Sequence, residues 1–187
     1  SSTASTYIQV QNTGDSVNAY YGVDTASAWA GSSTNHPFKL HTNNTERLRI
    51  TSTGGVHFNN GELIERVNVT AGKLSDNTNI DLEDGMAHLF TTTETTTATP
   101  NIRVNSSTTL NSVMATGDTI SVTIITTAAA AAYSAQLTID GVAVTEKWNG
   151  GSAPSAGGSS GNDVYSYTII KTGDAAYTVL ANVANFA

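Results

Sequence analysis

The sequence predicts an all-β fold, and three observations carry that expectation. Apolar and polar residues alternate at the two-residue period of a strand, most clearly at Ile120, Val122 and Ile124. Turn chemistry punctuates the chain, at Asn43-Asn44, Gly54-Gly55 and Asp140-Gly141. No helix is expected. Apolar residues in 1–61 do not recur at helical spacing, and the five alanines Ala128 to Ala132 are too few to nucleate one.

The elements follow in order. Tyr7, Ile8 and Val10 read as one strand and Tyr20, Tyr21 and Val23 as another, broken by Asn12-Thr-Gly14 and by Ala30-Gly-Ser-Ser33. Three very short two-faced strands come next. Phe38 and Leu40, then Leu48 and Ile50, then Val56 and Phe58 each alternate with polar neighbours. Further strands are expected at 64–69, 86–91, 101–104 and 107–113. Leu137 and Ile139 lead into Asp140-Gly141, and Val142 and Val144 lead out; Asp-Gly between alternating runs is a strong hairpin signal, because a type I′ turn needs two positive φ angles. Tyr165, Tyr167 and Ile169 alternate, and Thr172-Gly-Asp174 turns the chain into Tyr177, Val179 and Ala181. The run Ala128 to Ala132 reads as a strand end or compact crossing, and 149–162 as an exposed, mobile Gly/Ser loop. About eight or nine strands at this spacing in residues 62–187 fit a β-sandwich of jelly-roll type.

Charge divides the chain. Residues 1–61 hold three basic and three acidic groups; residues 62–187 hold five and twelve, net −7. The composition shift at Asn59-Asn60-Gly61 sets the expected boundary: 1–61 as a strand-and-turn segment for oligomerisation or attachment, 62–187 as the sandwich domain. A unit of ~60 residues is marginal alone, and about fourteen large apolar side chains do not make a full core. Its anchors must pack on copies from other chains or on the C-terminal domain.

Composition excludes several functions. A surface for nucleic acid needs excess Lys and Arg, and this chain is acidic. It has no cysteine, so disulfides and thiolate zinc sites are excluded. No apolar run approaches ~20 residues, so no membrane insertion is expected. No secretory leader pattern opens the sequence, and a first residue of Ser rather than Met fits a processed form or fragment.

The stretch NHPFKLHTNNTERLRITSTGGV resembles a segment common in tailed-phage fibre and virion structural proteins, through Phe38, Thr42, Asn43, Glu46, Arg47, Leu48, Arg49, Ile50, Gly55 and Val56. There it recurs along shafts or precedes C-terminal domains. This chain has one copy, and continues with His57-Phe58-Asn59-Asn60 where the family has G-I-G-T, which speaks against a long repeated shaft. Residues 81–173, from DLEDGMAHLF through AQLTIDGVAVTEKW to YTIIKTG, resemble a C-terminal domain of marine and cyanobacterial phage structural proteins. The resemblance implies three-fold assembly but no particular place on the particle; a short prism-like shaft segment and a place on the virion exterior are expected.

Candidate chemistry is sparse. No G-x-S-x-G, HExxH or P-loop occurs, so no catalytic residue is assigned and no enzyme is expected. Asp81, Glu83, Asp84 and Glu94 are the acids available for glycan cleavage, but nothing marks them. The acids of 79–85 read as a solvated turn rather than a calcium loop, whose bidentate Glu position is taken by Phe90. His36, His41, His57 and His88 read as ordinary polar-face histidines, so no metal or cofactor is expected. Seven threonines within Thr91 to Thr99 read as an extended strand or inter-subunit arm, not an ice-binding face. Trp148 reads as an anchor closing a sandwich end more than as a sugar platform. With Asn149, Ser155 and Asn162 it frames a candidate recognition loop.

The expectation is therefore a non-enzymatic virion component, most of all a tail or head fibre protein. Alternatives are a capsid decoration protein and, last, a glycan-degrading tailspike. Its partners would be itself as a homotrimer, other virion proteins, and a host surface glycan or protein. The trimer interface is assigned to Phe38, Leu40, Leu48, Ile50, Val56 and Phe58, with Lys39, His41, Arg47 and Arg49 outward and Arg47 paired to Glu46 of a neighbouring chain.

Overall fold

The computed structural model describes residues 6–59 and 61–187. Asn60, part of the expected boundary, lies outside them. Nearly all regular structure is β, in four sheets. The chain divides into two compact units, Ser1–Ile64 and Glu65–Ala187.

The first unit holds two three-stranded antiparallel sheets. One is β1 (Thr6–Asn12), β2 (Val17–Val23) and β3 (Ala28–Ser32). The other is β4 (Phe38–Thr42), β5 (Thr45–Ile50) and β6 (Val56–Phe58). Asn43 and Asn44 link β4 to β5 with φ of 49° and 56°. Asparagine tolerates this left-handed region, so a two-residue turn can set the register. Among residues 6–59 only Gly22 is buried. A Cβ there would lie 2.7 Å from Thr6 O and from Tyr7 Cβ, so close strand packing requires glycine.

The second unit is a sandwich of two sheets around one core. A six-stranded sheet runs in the order β14 (Glu146–Trp148), β16 (Ala176–Phe186), β15 (Asn162–Gly173), β11 (Thr119–Thr127), β9 (Ala87–Thr93), β7 (Val67–Thr70). A four-stranded sheet runs β13 (Val142–Ala143), β12 (Thr138–Ile139), β10 (Asn101–Arg103), β8 (Asn79–Asp81). From β7 to β12 the chain alternates between the sheets, and successive strands within each sheet pair in parallel. This pairing departs from the jelly-roll expectation, because jelly rolls are built from antiparallel strands. Antiparallel pairing enters with the β12–β13 hairpin and continues with β15, which pairs β11 and β16 along their lengths.

The parallel stack explains the core. Ile80, Ile102 and Ile139 stand in register across β8, β10 and β12, each at most 2% exposed. They meet Phe90, Val122, Ile124, Tyr165, Tyr167, Ile169 and Val179 from the other sheet. Each fully buried side chain of this size contributes roughly 1.5–3 kcal/mol. On the solvent side the same rungs carry a polar ladder. Asn101 Nδ2 donates to Asn79 Oδ1 at 2.9 Å, and Thr138 Oγ1 donates to Asn101 Oδ1 at 3.0 Å. Arg103 donates to both carboxylate oxygens of Asp81, at 2.6 and 3.2 Å.

Three local expectations are corrected. Residues 79–85 are not a solvated turn throughout: Asn79–Asp81 is the edge strand β8, paired to β10, and only Leu82–Asp84 turns. The strand expected at 107–113 is instead the helical turn α1 (Leu110–Val113). Asp140 fixes it, accepting from Leu110 N at 2.7 Å and Asn111 N at 2.9 Å. A carboxylate on these orphan amides favours helix over strand. The loop 149–162 is packed in its second half. Gly157 N donates to Ala130 O at 3.1 Å, and Ala128 N to Gly161 O at 2.9 Å.

Candidate functional site

Strand register brings all six assigned interface residues together. Phe38, Ile50 and Val56 form one cross-strand row of the second sheet, and Leu40, Leu48 and Phe58 form the next. Four remain exposed, with Val56 at 56% and Phe58 at 53%. Lys39, Arg49 and His57 form the row on the other face. Glu46 sits among them. Lys39 Nζ lies 3.0 Å from its Oε2, Arg49 Nη2 lies 2.8 Å from its Oε1, and Asn59 Nδ2 also donates to it. The bond from Lys39, then that from Arg49, holds the Glu46 carboxyl below its ordinary range. Glu46, expected to pair with Arg47 of a neighbouring chain, is engaged by Lys39, Arg49 and Asn59 of its own chain. Arg47 Nε donates to Thr42 Oγ1 at 2.9 Å.

The four residues of the candidate recognition loop are not gathered into one surface. Trp148 is half-buried against the core, edge-on to Tyr167 with centroids 6.2 Å apart, which is the anchor reading. Asn149 donates to Asn182 Oδ1 at 3.1 Å, and Asn162 begins β15 and donates to Thr126 O at 3.1 Å. Ser155 is exposed. Beneath the loop lies Asp163, fully buried. Its carboxylate accepts from Gly158 N at 3.0 and 3.1 Å and from Asn185 Nδ2 at 2.6 Å. A Cβ on Gly157 would lie 2.6 Å from Ala132 O, so the loop passes where only glycine fits.

Three of the four available acids are engaged by neighbouring groups. Asp81 is bound to Arg103, and Glu83 accepts from Asn105 Nδ2 at 2.8 Å. Glu94 is buried, and accepts from Leu74 N at 2.5 Å and Ser75 N at 3.3 Å. Among the described residues no group of three or more His, Asp or Glu is placed to hold a metal ion. His88 is not on a polar face. It is 2% exposed, with Nε2 3.0 Å from Gly85 O and Nδ1 3.4 Å from Asn68 Nδ2. Burial pulls its pKa below the ordinary histidine value, against the opposing pull of Gly85 O, Asp84 and Asp81. Burial likewise pushes the Tyr165 phenol up to about 12. No helix among the described residues is long and apolar enough to cross a membrane.

One feature escaped the reading of the sequence. Tyr7, Tyr20 and Trp29 cluster on the first sheet, with Tyr7 and Tyr20 edge-to-face at 4.8 Å. They come from three strands, and share a face only through the register of the β1–β2–β3 meander, which alternation within each strand does not fix. No protein-family model, no curated protein and no solved structure matches this chain.

Proposed function

We propose that the chain is a non-enzymatic structural component of a tailed-phage particle, on its exterior, assembled as a homotrimer through its first unit. The observation that carries this reading is the state of residues 6–59. Strands with two-faced patterning form there, yet Gly22 alone is buried. Two rows of apolar side chains lie side by side on one face of β4–β6, with no layer of the same sheet to cover them. Apolar area left in water forfeits roughly 25 cal/mol per Å², and a sheet this small gains it only by packing on another surface. Three copies about an axis would gather three such faces into a narrow shared core, with the Lys39–Glu46–Arg49 face outward. The phage-fibre resemblance of residues 38–58 favours the same arrangement.

The test is sedimentation of the full chain beside the double variant L48S/I50S. The wild type is expected to run as a trimer. The variant is expected to dissociate while the melting of the second unit is kept. A monomeric wild type, or a trimer indifferent to both changes, overturns the proposal. Imaging the particle separates a fibre component from a capsid decoration protein. An activity screen against host polysaccharides separates both from a tailspike.

A further inference from the structure

The first sheet has two faces of different chemistry. By register, Ile8, Tyr21 and Ala30 align on one face, flanked by Val10 and Ala19 and by Val23 and Ala28. The other face carries Tyr7, Gly22 and Trp29 in one row, Gln9, Tyr20 and Gly31 in the next, and Gln11 and Asn18 beyond. No residue on the three strands is charged. Trp29 is tilted 43° to Tyr7 and 53° to Tyr20, with centroids 6.2 and 6.0 Å away. The three rings therefore wall a hollow instead of stacking it shut. The hollow measures about 310 Å³ and is completed by Gly31, Ser32 and Ser33.

Gly31 differs from Gly22. Gly22 is glycine because a Cβ would strike Thr6 O and Tyr7 Cβ. A Cβ on Gly31 would meet nothing within 4 Å, and its φ is not positive. Neither packing nor backbone asks for glycine at 31; what its missing side chain does is leave the floor of the hollow open. Asn18 adds a second sign. Its Oδ1 is buried and has no hydrogen-bond partner among the described residues. A buried acceptor without a donor is costly, and a ligand hydroxyl on this face would relieve it.

We propose that this face binds a neutral hexopyranose of a glycan chain. Such a ring has an apolar C–H face that matches the aromatic walls, and a hydroxyl rim that matches Ser33 at the hollow and Gln9 and Asn18 on the same face of the sheet. The absence of charge in the lining selects against anionic sugars. The volume is at the small end for ligand sites, about one or two rings. This is a binding activity separate from assembly through β4–β6, so the two can fail independently.

The experiment titrates the full chain with chitotetraose, cellotetraose and β-1,4-galactotetraose, followed by tryptophan fluorescence and by calorimetry. Saturable binding of at least one of the three is expected, with a fluorescence change absent from W29F, which keeps Trp148. G31V fills the hollow and removes no contact. It is expected to weaken binding at least about tenfold, a difference of ~1.4 kcal/mol, with sedimentation unchanged. N18A is expected to weaken binding less. Absence of calorimetric binding for all three sugars overturns the proposal, as does wild-type affinity in G31V. A changed sedimentation coefficient in G31V would overturn it in favour of a chain–chain contact. Displacement of a bound sugar by polyproline would overturn it in favour of a peptide groove.

Discussion

The two units use the same alternation to opposite ends. In β4–β6 the apolar residues line up in two rows and stay largely in water. In β8, β10 and β12 the inward residue of each rung is an isoleucine that is almost wholly buried. The strands of the second set are no longer: β12 has two residues and β8 three. What differs is the layer opposite. The second unit supplies its own facing sheet, while the described residues of the first bury no apolar side chain. Period-two patterning thus fixes which side chains share a face, not whether one chain supplies what covers it.

The contrast can be broken most sharply inside the second unit. Ile102→Ala leaves a cavity between the sheets and is expected to cost about 2–5 kcal/mol in urea unfolding. Ile8→Ala, on an exposed face, should leave that transition within about 0.5 kcal/mol. Comparable losses from both would mean that the first unit is packed after all. Next comes Asp163→Ala. Hydrogen bonds to a charged group contribute roughly 1.5–3 kcal/mol, so a loss of that order is expected, with faster proteolysis between Ala156 and Gly161. An unchanged cleavage rate would show that the carboxylate does not hold the loop.

A pH profile sharpens the comparison further. His88 has a folded pKa below its unfolded value near 6.5, so the unfolded chain binds the proton more readily. Stability of the second unit is therefore full above about pH 6.5 and declines as pH falls through and below that value. His88→Gln should flatten this slope in denaturation midpoints measured between about pH 7 and pH 5. A smaller effect is expected for Arg103→Gln: its ion pair with Asp81 is partly exposed, so the urea midpoint should fall less than for Ile102→Ala.

Legibility followed locality. The Asp140-Gly141 hairpin was readable because turn and strands lie within a few residues, and both have positive φ, 52° and 80°. The six anchors of β4–β6 were readable because parity needs only a short count. The parallel stack was not, because its partners lie 22 and 37 residues apart. A trace was present, since Asn-Ile-Asp at 79–81, Asn-Ile-Arg at 101–103 and Thr-Ile-Asp at 138–140 are the three aligned rungs. The helical turn at Leu110 and the burial of Glu94 were hidden for the same reason. Asp140 comes 30 residues after the amide it caps, and Glu94 comes 20 after Leu74.

Those unequal separations carry a consequence for how such a chain can change. Adjacent rungs stack in the same register whether 22 or 37 residues join them, so the longer excursion, with α1 inside it, was accommodated without shifting the ladder. Length in the connections is decoupled from order in the sheet. A peptide grafted between Ser106 and Ser107, both exposed, would lengthen a connection and leave Ile102 facing Ile80 and Ile139. The stack is a frame onto which new surface can be written without rewriting the core.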